Sequence, residues 1–91
     1  MLIDVIIPGM LRDSVGGRTK FTIDALTLAD ALETIQRDFP LLRVHMWDDH
    51  GALRQHVLIF LNDEGIRWMP DLDVTLKSGD RIQIVQAVSG G

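Results

Sequence analysis

The sequence contains no cysteine and no tyrosine, and basic residues are few and scattered. The absence of cysteine excludes disulfides, thiolate metal sites, iron–sulfur clusters and a cysteine nucleophile. Nine Lys and Arg stand against thirteen Asp and Glu, which gives a formal net charge of −4. Because nucleic-acid binders usually present a basic face, this composition predicts protein partners and no nucleic acid.

Long apolar runs are also missing. The start of the chain is apolar, but the run is short, is interrupted by Asp4 and lacks the basic region of a signal peptide. We therefore expect a cytoplasmic protein that neither spans nor binds a membrane. Apolar residues make up 46% of the chain, which is ordinary for one globular domain that buries roughly two thirds of its unfolded surface.

Two strands are predicted before the first helix. Ile3, Val5 and Ile7 share one face of a strand at residues 2–7, as in a buried strand. Polar and apolar residues then alternate over residues 18–24, after a segment rich in turn residues. The pattern indicates a β-hairpin with a long loop.

The first helix has the clearest local signal. Thr27 is a favourable N-cap, and Asp30 follows at a capping-box-like position, where its charge also favours the helix dipole. Pro40 disfavours helical geometry at the residue before it and predicts the end of the helix there. An apolar stripe at helical spacing runs along one face and predicts packing on a sheet: Leu28, Ala31, Leu32, Ile35 and Phe39.

Shorter elements are predicted in the second half of the chain. Residues 41–47 suggest a second short helix, and residues 57–62 form an apolar run typical of a strand buried on both faces. Residues 63–65 predict a turn and residues 66–68 a brief edge strand. A Ser-Gly-Asp turn then leads into a last strand at residues 81–85.

These elements predict an α+β fold of the β-grasp type, in which a mixed sheet packs on one main helix. The domain is expected to span residues 1–86, with a flexible Gly-Gly tail at residues 87–91. One core is expected to contain Leu32, Ile35, Ile59 and Ile82.

The chemistry of the sequence concentrates at its end, Ala87-Val88-Ser89-Gly90-Gly91. Two glycines without Cβ can enter a channel too narrow for any side chain. A terminal carboxylate is ionised at neutral pH and is a poor electrophile until ATP converts it to an acyl-adenylate. The sequence has no Gly-x-x-x-x-Gly-Lys-Ser/Thr phosphate loop. We therefore expect no cofactor on this chain, and ATP and Mg²⁺ on a separate enzyme.

The ending Leu76-Lys77-Ser78-Gly79-Asp80-Arg81-Ile82-Gln83-Ile84-Val85-Gln86-Ala87-Val88-Ser89-Gly90-Gly91 resembles the MoaD/ThiS family of ubiquitin-like sulfur carriers. Members typically end in Leu, a Gly-Asp turn, an apolar strand and Val-Ser-Gly-Gly or Val-Ala-Gly-Gly. The resemblance implies that Gly91 is adenylated and then carries sulfur as a thiocarboxylate, with Gly90 as the slender residue behind it. The elongated middle, residues 41–56, is more similar to the carriers of cysteine-forming pathways than to the short thiamin carriers.

The same resemblance implies a set of partners. These are a ubiquitin-activating-like adenylating enzyme, a sulfur donor, a downstream sulfur-accepting synthase and a metalloprotease-type hydrolase. The sulfur would pass to molybdopterin, thiamin thiazole, cysteine or a secondary metabolite. Phe60, if it points outward from its strand, is a candidate docking residue, together with Val88 and Ser89.

Several alternatives compete with this interpretation. Trp47, Trp68, Met46 and Met69 are either docking residues or a cover over the core. Three histidines and two aspartates at residues 45–56 match no metal-ligand spacing, so no metal site is expected. The same tail could serve a protein modifier joined to lysines of its targets, or the domain could be a passive interaction module. No catalytic constellation favours an enzyme.

Overall fold

The computed structural model describes residues 1–86, and the predicted flexible tail at residues 87–91 lies outside the described residues. Residues 1–86 contain five strands and two α-helices: β1 (Leu2–Ile6), β2 (Lys20–Asp24), α1 (Leu28–Asp38), α2 (Pro40–Met46), β3 (Val57–Leu61), β4 (Glu64–Gly65) and β5 (Arg81–Gln86). The strands form one sheet in the order β2-β1-β5-β3-β4. Only β1 and β5 pair in parallel, so the sheet is mixed, as predicted.

The β1–β2 hairpin confirms the first prediction, with a more structured loop than expected. Leu2 to Ile6 pair in antiparallel register with Asp24 to Lys20. The connection contains a 3₁₀-helix, Gly9–Val15, which buries Leu11 and Val15. The helix ends at Gly16, whose φ of 72° is the left-handed conformation that glycine adopts at low cost.

Helix α1 begins at the predicted cap. The Thr27 hydroxyl accepts a hydrogen bond from the amide of Asp30 at 3.1 Å, and the Asp30 carboxylate accepts one from the amide of Leu26 at 3.0 Å. The apolar stripe of α1 faces the sheet. At the end of the helix Pro40 has two effects, because it closes α1 and also occupies the first turn of α2.

The buried apolar residues in the described part of the chain form one core, which confirms the predicted packing. Leu32, Ile35, Ile59 and Ile82 all belong to it, at 0–7% exposure. Of the two tryptophans, Trp47 is buried in this core and Trp68 is exposed. Met46 is fully buried. Met46 and Trp47 are therefore core residues and do not form an exposed cover at its edge.

Three predictions about the β3 region need correction. Strand β3 alternates between buried and half-buried residues, because the helices cover only one face of the sheet. Residues 66–68 form a 3₁₀-helix and no strand, and the edge strand is Glu64–Gly65. The turn therefore lies one residue earlier than predicted, at Asn62 and Asp63, which both adopt positive φ in a two-residue β3–β4 loop.

Candidate functional site

The strand that leads to the tail lies in the middle of the sheet. β5 pairs with β1 on one side and with β3 on the other, and its last residue, Gln86, is opposite Val57. β1 pairs with Arg81 to Gln83 and β3 pairs with Ile82 to Gln86, so the end of β5 that precedes the tail is paired with β3. Val88, Ser89, Gly90 and Gly91 lie outside the described residues, and their predicted roles stay predictions.

Phe60 does point outward, on the sheet face opposite the helices. Along β3, Val57, Ile59 and Leu61 face the core, whereas Leu58 and Phe60 are half-buried on the other face. Cross-strand register places Leu58 opposite Val85 and Phe60 opposite Gln83. Since Ile6 is opposite Gln83 on the far side of β5, it shares this face too. The result is a partly apolar open face formed by Ile6, Leu58, Phe60 and Val85.

An apolar groove of about 520 Å³ continues from this face around the edge of β3. Trp68 forms one wall and is 84% exposed, although it is the largest kind of apolar side chain. The indole lies directly against Gly65: a Cβ added to this glycine would be 3.1 Å from Trp68 Cδ1 and 3.7 Å from Phe60 Cε1. The missing side chain of Gly65 therefore leaves space for the indole at this position. Leu53 and Leu72, both partly buried, close the other end of the groove.

Sequence reasoning did not find this groove. It named both tryptophans but had no means of telling the buried one from the exposed one. A usable signal was the Gly-x-x-Trp spacing of Gly65 and Trp68, because a glycine three residues before an aromatic ring leaves space for the ring to fold back. The pairing of Gly65 with Phe60 depends on the β3–β4 register and is not visible in the sequence.

A polar network supports the opposite end of β5. The Asp80 carboxylate accepts hydrogen bonds from the Lys77 amide at 2.7 Å and from the Asn62 side-chain amide at 2.9 Å. Both bonds hold the pKa of Asp80 below its ordinary value of 3.8, and the bond from the Lys77 amide has the larger effect, followed by the bond from Asn62. Arg81 completes the network, since its guanidinium pairs with Asp63 at 2.8 Å. The network ties the β3–β4 loop to the start of β5.

The middle segment is a folded loop with internal partners. Trp47 and Leu53 form an antiparallel bridge, and the Asp48 carboxylate accepts hydrogen bonds from the amides of His50 and Ala52. Arg54 donates from Nε and Nη2 to the Val44 carbonyl near the end of α2. Within residues 1–86 no three His, Asp or Glu side chains are arranged to hold a metal ion. The hydrogen bonds of Asp48 and Arg54 hold this loop in its conformation.

Comparison with known proteins identifies the family. The ThiS family matches residues 5–91, which is nearly the whole chain and includes its last two glycines. The chain belongs to the ThiS family.

This ThiS-family chain is also similar to individual sulfur carriers over its full length. It is 29% identical over 93 residues to the sulfur carrier protein CysO of Mycobacterium tuberculosis, with 100% of both chains covered. The crystal structure of that CysO matches with a TM-score of 0.79 at 27% identity, covering 94% of this chain and 99% of the other. CysO of Amycolatopsis orientalis, solved in a complex with BexX, matches with a TM-score of 0.80 at 25% identity, over 98% and 99% of the chains.

A third likeness concerns the fold alone. SAMP1 from Haloferax volcanii covers 100% of both chains with a TM-score of 0.79 at 23% identity. Together these structures confirm the ubiquitin-like β-grasp fold. None of the helices in residues 1–86 has the length and apolarity that crossing a membrane requires.

Proposed function

We propose that Gly91 of this ThiS-family sulfur carrier is adenylated by a partner enzyme and converted to a thiocarboxylate that donates sulfur in a biosynthetic pathway. The observation that carries the proposal is the family match, which extends through Gly90 and Gly91. Full-length similarity to proteins named as sulfur carriers supports it. Cysteine is the first product to test, ahead of a cofactor or secondary metabolite, because the matched carriers are CysO proteins.

The chemistry needs only the terminal carboxylate of this chain. One of its oxygens attacks the α-phosphorus of ATP, pyrophosphate leaves, and an acyl-adenylate forms. Hydrosulfide released by the sulfur donor then attacks the acyl carbon, the bond from that carbon to the AMP oxygen breaks, AMP leaves, and loss of a proton gives the thiocarboxylate. The adenylating enzyme would hold ATP and Mg²⁺, and a downstream synthase would accept the sulfur.

The length of the tail allows the tail and the folded domain to have separate roles. Five residues follow Gln86, and an extended chain of this length reaches about 17 Å. The tail can therefore enter a partner's active site while the domain docks on its surface. Phe60 on the open face, with Val88 and Ser89 at the base of the tail, is the proposed contact between domain and partner.

ATP–pyrophosphate exchange with the cognate adenylating enzyme tests the proposal. Deleting Gly91 should abolish exchange, and adding one residue after it should do so too, because the carboxylate then moves by more than 3 Å. Misplacement by about 1 Å already costs around a hundredfold in rate. The matched control is Gly9→Ala, because the φ of Gly9 is not positive and an added Cβ would meet only the end of the Arg12 side chain, at 3.7 Å. Undiminished exchange by the deletion variant contradicts the proposal.

The fate of the adenylated tail distinguishes the alternatives. Intact-mass analysis of the protein from its native host should show sulfur in place of one oxygen at the terminus. Stable attachment to lysines of other proteins would instead indicate a protein modifier. Partner binding that is unaffected by loss of Gly90 and Gly91, without any exchange activity, would indicate a passive interaction module.

A further inference from the structure

The last residue of β5 departs from the pattern of its strand. Ile82 and Ile84 are buried in the core, and the residues that alternate with them are half-buried. Because successive side chains point to opposite faces of a strand, Gln86 continues the row of Ile82 and Ile84 on the face that the helices cover. Cross-strand register agrees, since Gln86 is directly opposite Val57, a core residue at 0% exposure. An inward row of apolar side chains therefore ends in a polar one.

The side-chain amide of Gln86 has a buried oxygen without a hydrogen-bond partner. The residue as a whole is half-buried, but its Oε1 is shielded from solvent and accepts no hydrogen bond. No other buried side-chain oxygen or nitrogen in residues 1–86 lacks a partner. An acceptor that is removed from water without gaining a donor destabilises the folded state. A methionine at this position would have a similar length without this unfavourable contribution.

The position of this oxygen in the chain suggests why a destabilising group is present. Unsatisfied buried polar groups are rare in folded proteins, and departures from the rules of stability concentrate at functional sites. Gln86 is the last residue before the tail, residues 87–91, which contains the proposed reacting residue, Gly91. A side chain at this point can influence the direction in which the tail leaves the sheet.

A main-chain N–H of the tail is the donor that suits Oε1. Residues 1–86 supply no donor to this oxygen. Consecutive Cα atoms are about 3.8 Å apart, so the amides that follow Gln86 are close to it along the chain. A side chain of a partner protein would have to enter the interior of the carrier to reach the same atom, because Oε1 has almost no accessible surface. The tail begins beside Oε1 and avoids this obstacle.

We propose that Gln86 is a positioning residue for adenylation. When the tail enters the adenylating enzyme, Gln86 Oε1 accepts a hydrogen bond from a main-chain N–H of the tail, and this bond fixes the direction of the tail. The Gly91 carboxylate is thereby aimed at the α-phosphorus of ATP, where misplacement by about 1 Å costs around a hundredfold in rate. The inference rests on the proposed function and adds to it the residue that orients the reacting group.

ATP–pyrophosphate exchange, measured over a range of concentrations of the full-length carrier, tests this role. Gln86→Met removes the acceptor oxygen and should lower kcat about tenfold, the effect of one lost hydrogen bond. The KM for the carrier should stay within about twofold, because the surface of the domain is unchanged. Gln86→Glu retains an acceptor oxygen at the same place and should keep kcat within about threefold of wild type.

Urea unfolding of the same variants separates positioning from a structural role. Gln86→Met removes the unpaired buried oxygen and should raise the urea midpoint by about 1 M. Gln86→Glu introduces an ionisable carboxyl group at a buried place and should lower the midpoint. The more stable variant is thus expected to be the less active one, a combination that loss of folding cannot produce. The matched control is Gln36→Met, a half-buried glutamine on α1, which should leave kcat within about twofold and the midpoint within about 0.5 M.

The outcomes distinguish failure of this inference from failure of the proposed function. If the wild type gives no exchange, the proposed function fails and the positioning role fails with it. If the wild type is active and Gln86→Met has the same kcat, the proposed function stands and the positioning role is wrong. Equal losses of kcat in Gln86→Met and Gln86→Glu would also overturn it, because the acceptor oxygen would then not be the property that matters. An unchanged or lower urea midpoint for Gln86→Met would show that Oε1 is already satisfied in the free protein, with the same consequence.

Discussion

Replacing Leu32 by alanine tests whether the stripe of α1 packs on the sheet as a structural unit. Leu32 is 7% exposed and belongs to the single core. Leu→Ala changes at such sites cost about 2–5 kcal/mol, of which the better helix propensity of alanine returns only a few tenths. A chain of 91 residues has a total stability of about 5–14 kcal/mol. We therefore expect a loss of about 3 kcal/mol, a large fraction of that total.

Urea unfolding, followed by far-UV circular dichroism, measures this loss. With an m-value of about 1–1.5 kcal/mol per M for a small domain, the midpoint should fall by roughly 2–3 M. Leu41→Ala is the matched control, because it removes the same atoms from a leucine that is 62% exposed on α2. Surface substitutions usually change stability by less than about 0.5 kcal/mol. Equal midpoints for the two variants would refute the packing of α1 that we describe.

Three further expectations concern the Asp80 carboxylate, the cap of α1 and the last residue of the tail. The pKa of Asp80 is lowered in the folded state, so its carboxylate contributes stability above the ordinary pKa of 3.8, and this contribution is lost as the pH falls through the lowered value. Asp80→Asn should therefore reduce the difference in urea midpoint between pH 7 and pH 3; an unchanged difference would contradict the assignment. Thr27→Ala should cost about 1 kcal/mol through loss of the α1 cap, and Thr27→Ser should restore most of it, as thermal melting can measure. Deletion of Gly91 should leave the melting temperature unchanged, because a glycine has no side chain to bury; a drop of several degrees would assign the tail a structural role.

Local patterns predicted the elements that carry their own signals. The α1 cap needs only Thr27 and Asp30, three residues apart, and its stripe follows from a period of 3.6 residues. The hairpin, the β3 strand (although not its half-buried outer face) and the Ser-Gly-Asp turn before β5 were likewise visible in short windows. The prediction at residues 66–68 failed because a short apolar segment has no period long enough to distinguish a strand from a 3₁₀ turn.

The candidate site also has some features that the sequence predicts and others that only the structure shows. Gly90 and Gly91 could be proposed from the sequence, because their proposed chemistry depends on residue type and order and not on neighbours in space. The outward orientation of Phe60 could only be stated as a condition, since one position along a strand inverts the face on which a side chain lies.

The sequence by itself determined the fold class, the main helix and the family to which the chain belongs, because cap, period and terminal motif are local properties. Only the tertiary structure decided which tryptophan is buried and which is exposed. Trp47 follows α2 and is buried in the core, whereas Trp68 lies on the surface against Gly65, which the β3–β4 register pairs with Phe60. Burial of an aromatic ring depends on tertiary contacts between segments that are far apart in the sequence, and the residues of one segment do not specify those contacts.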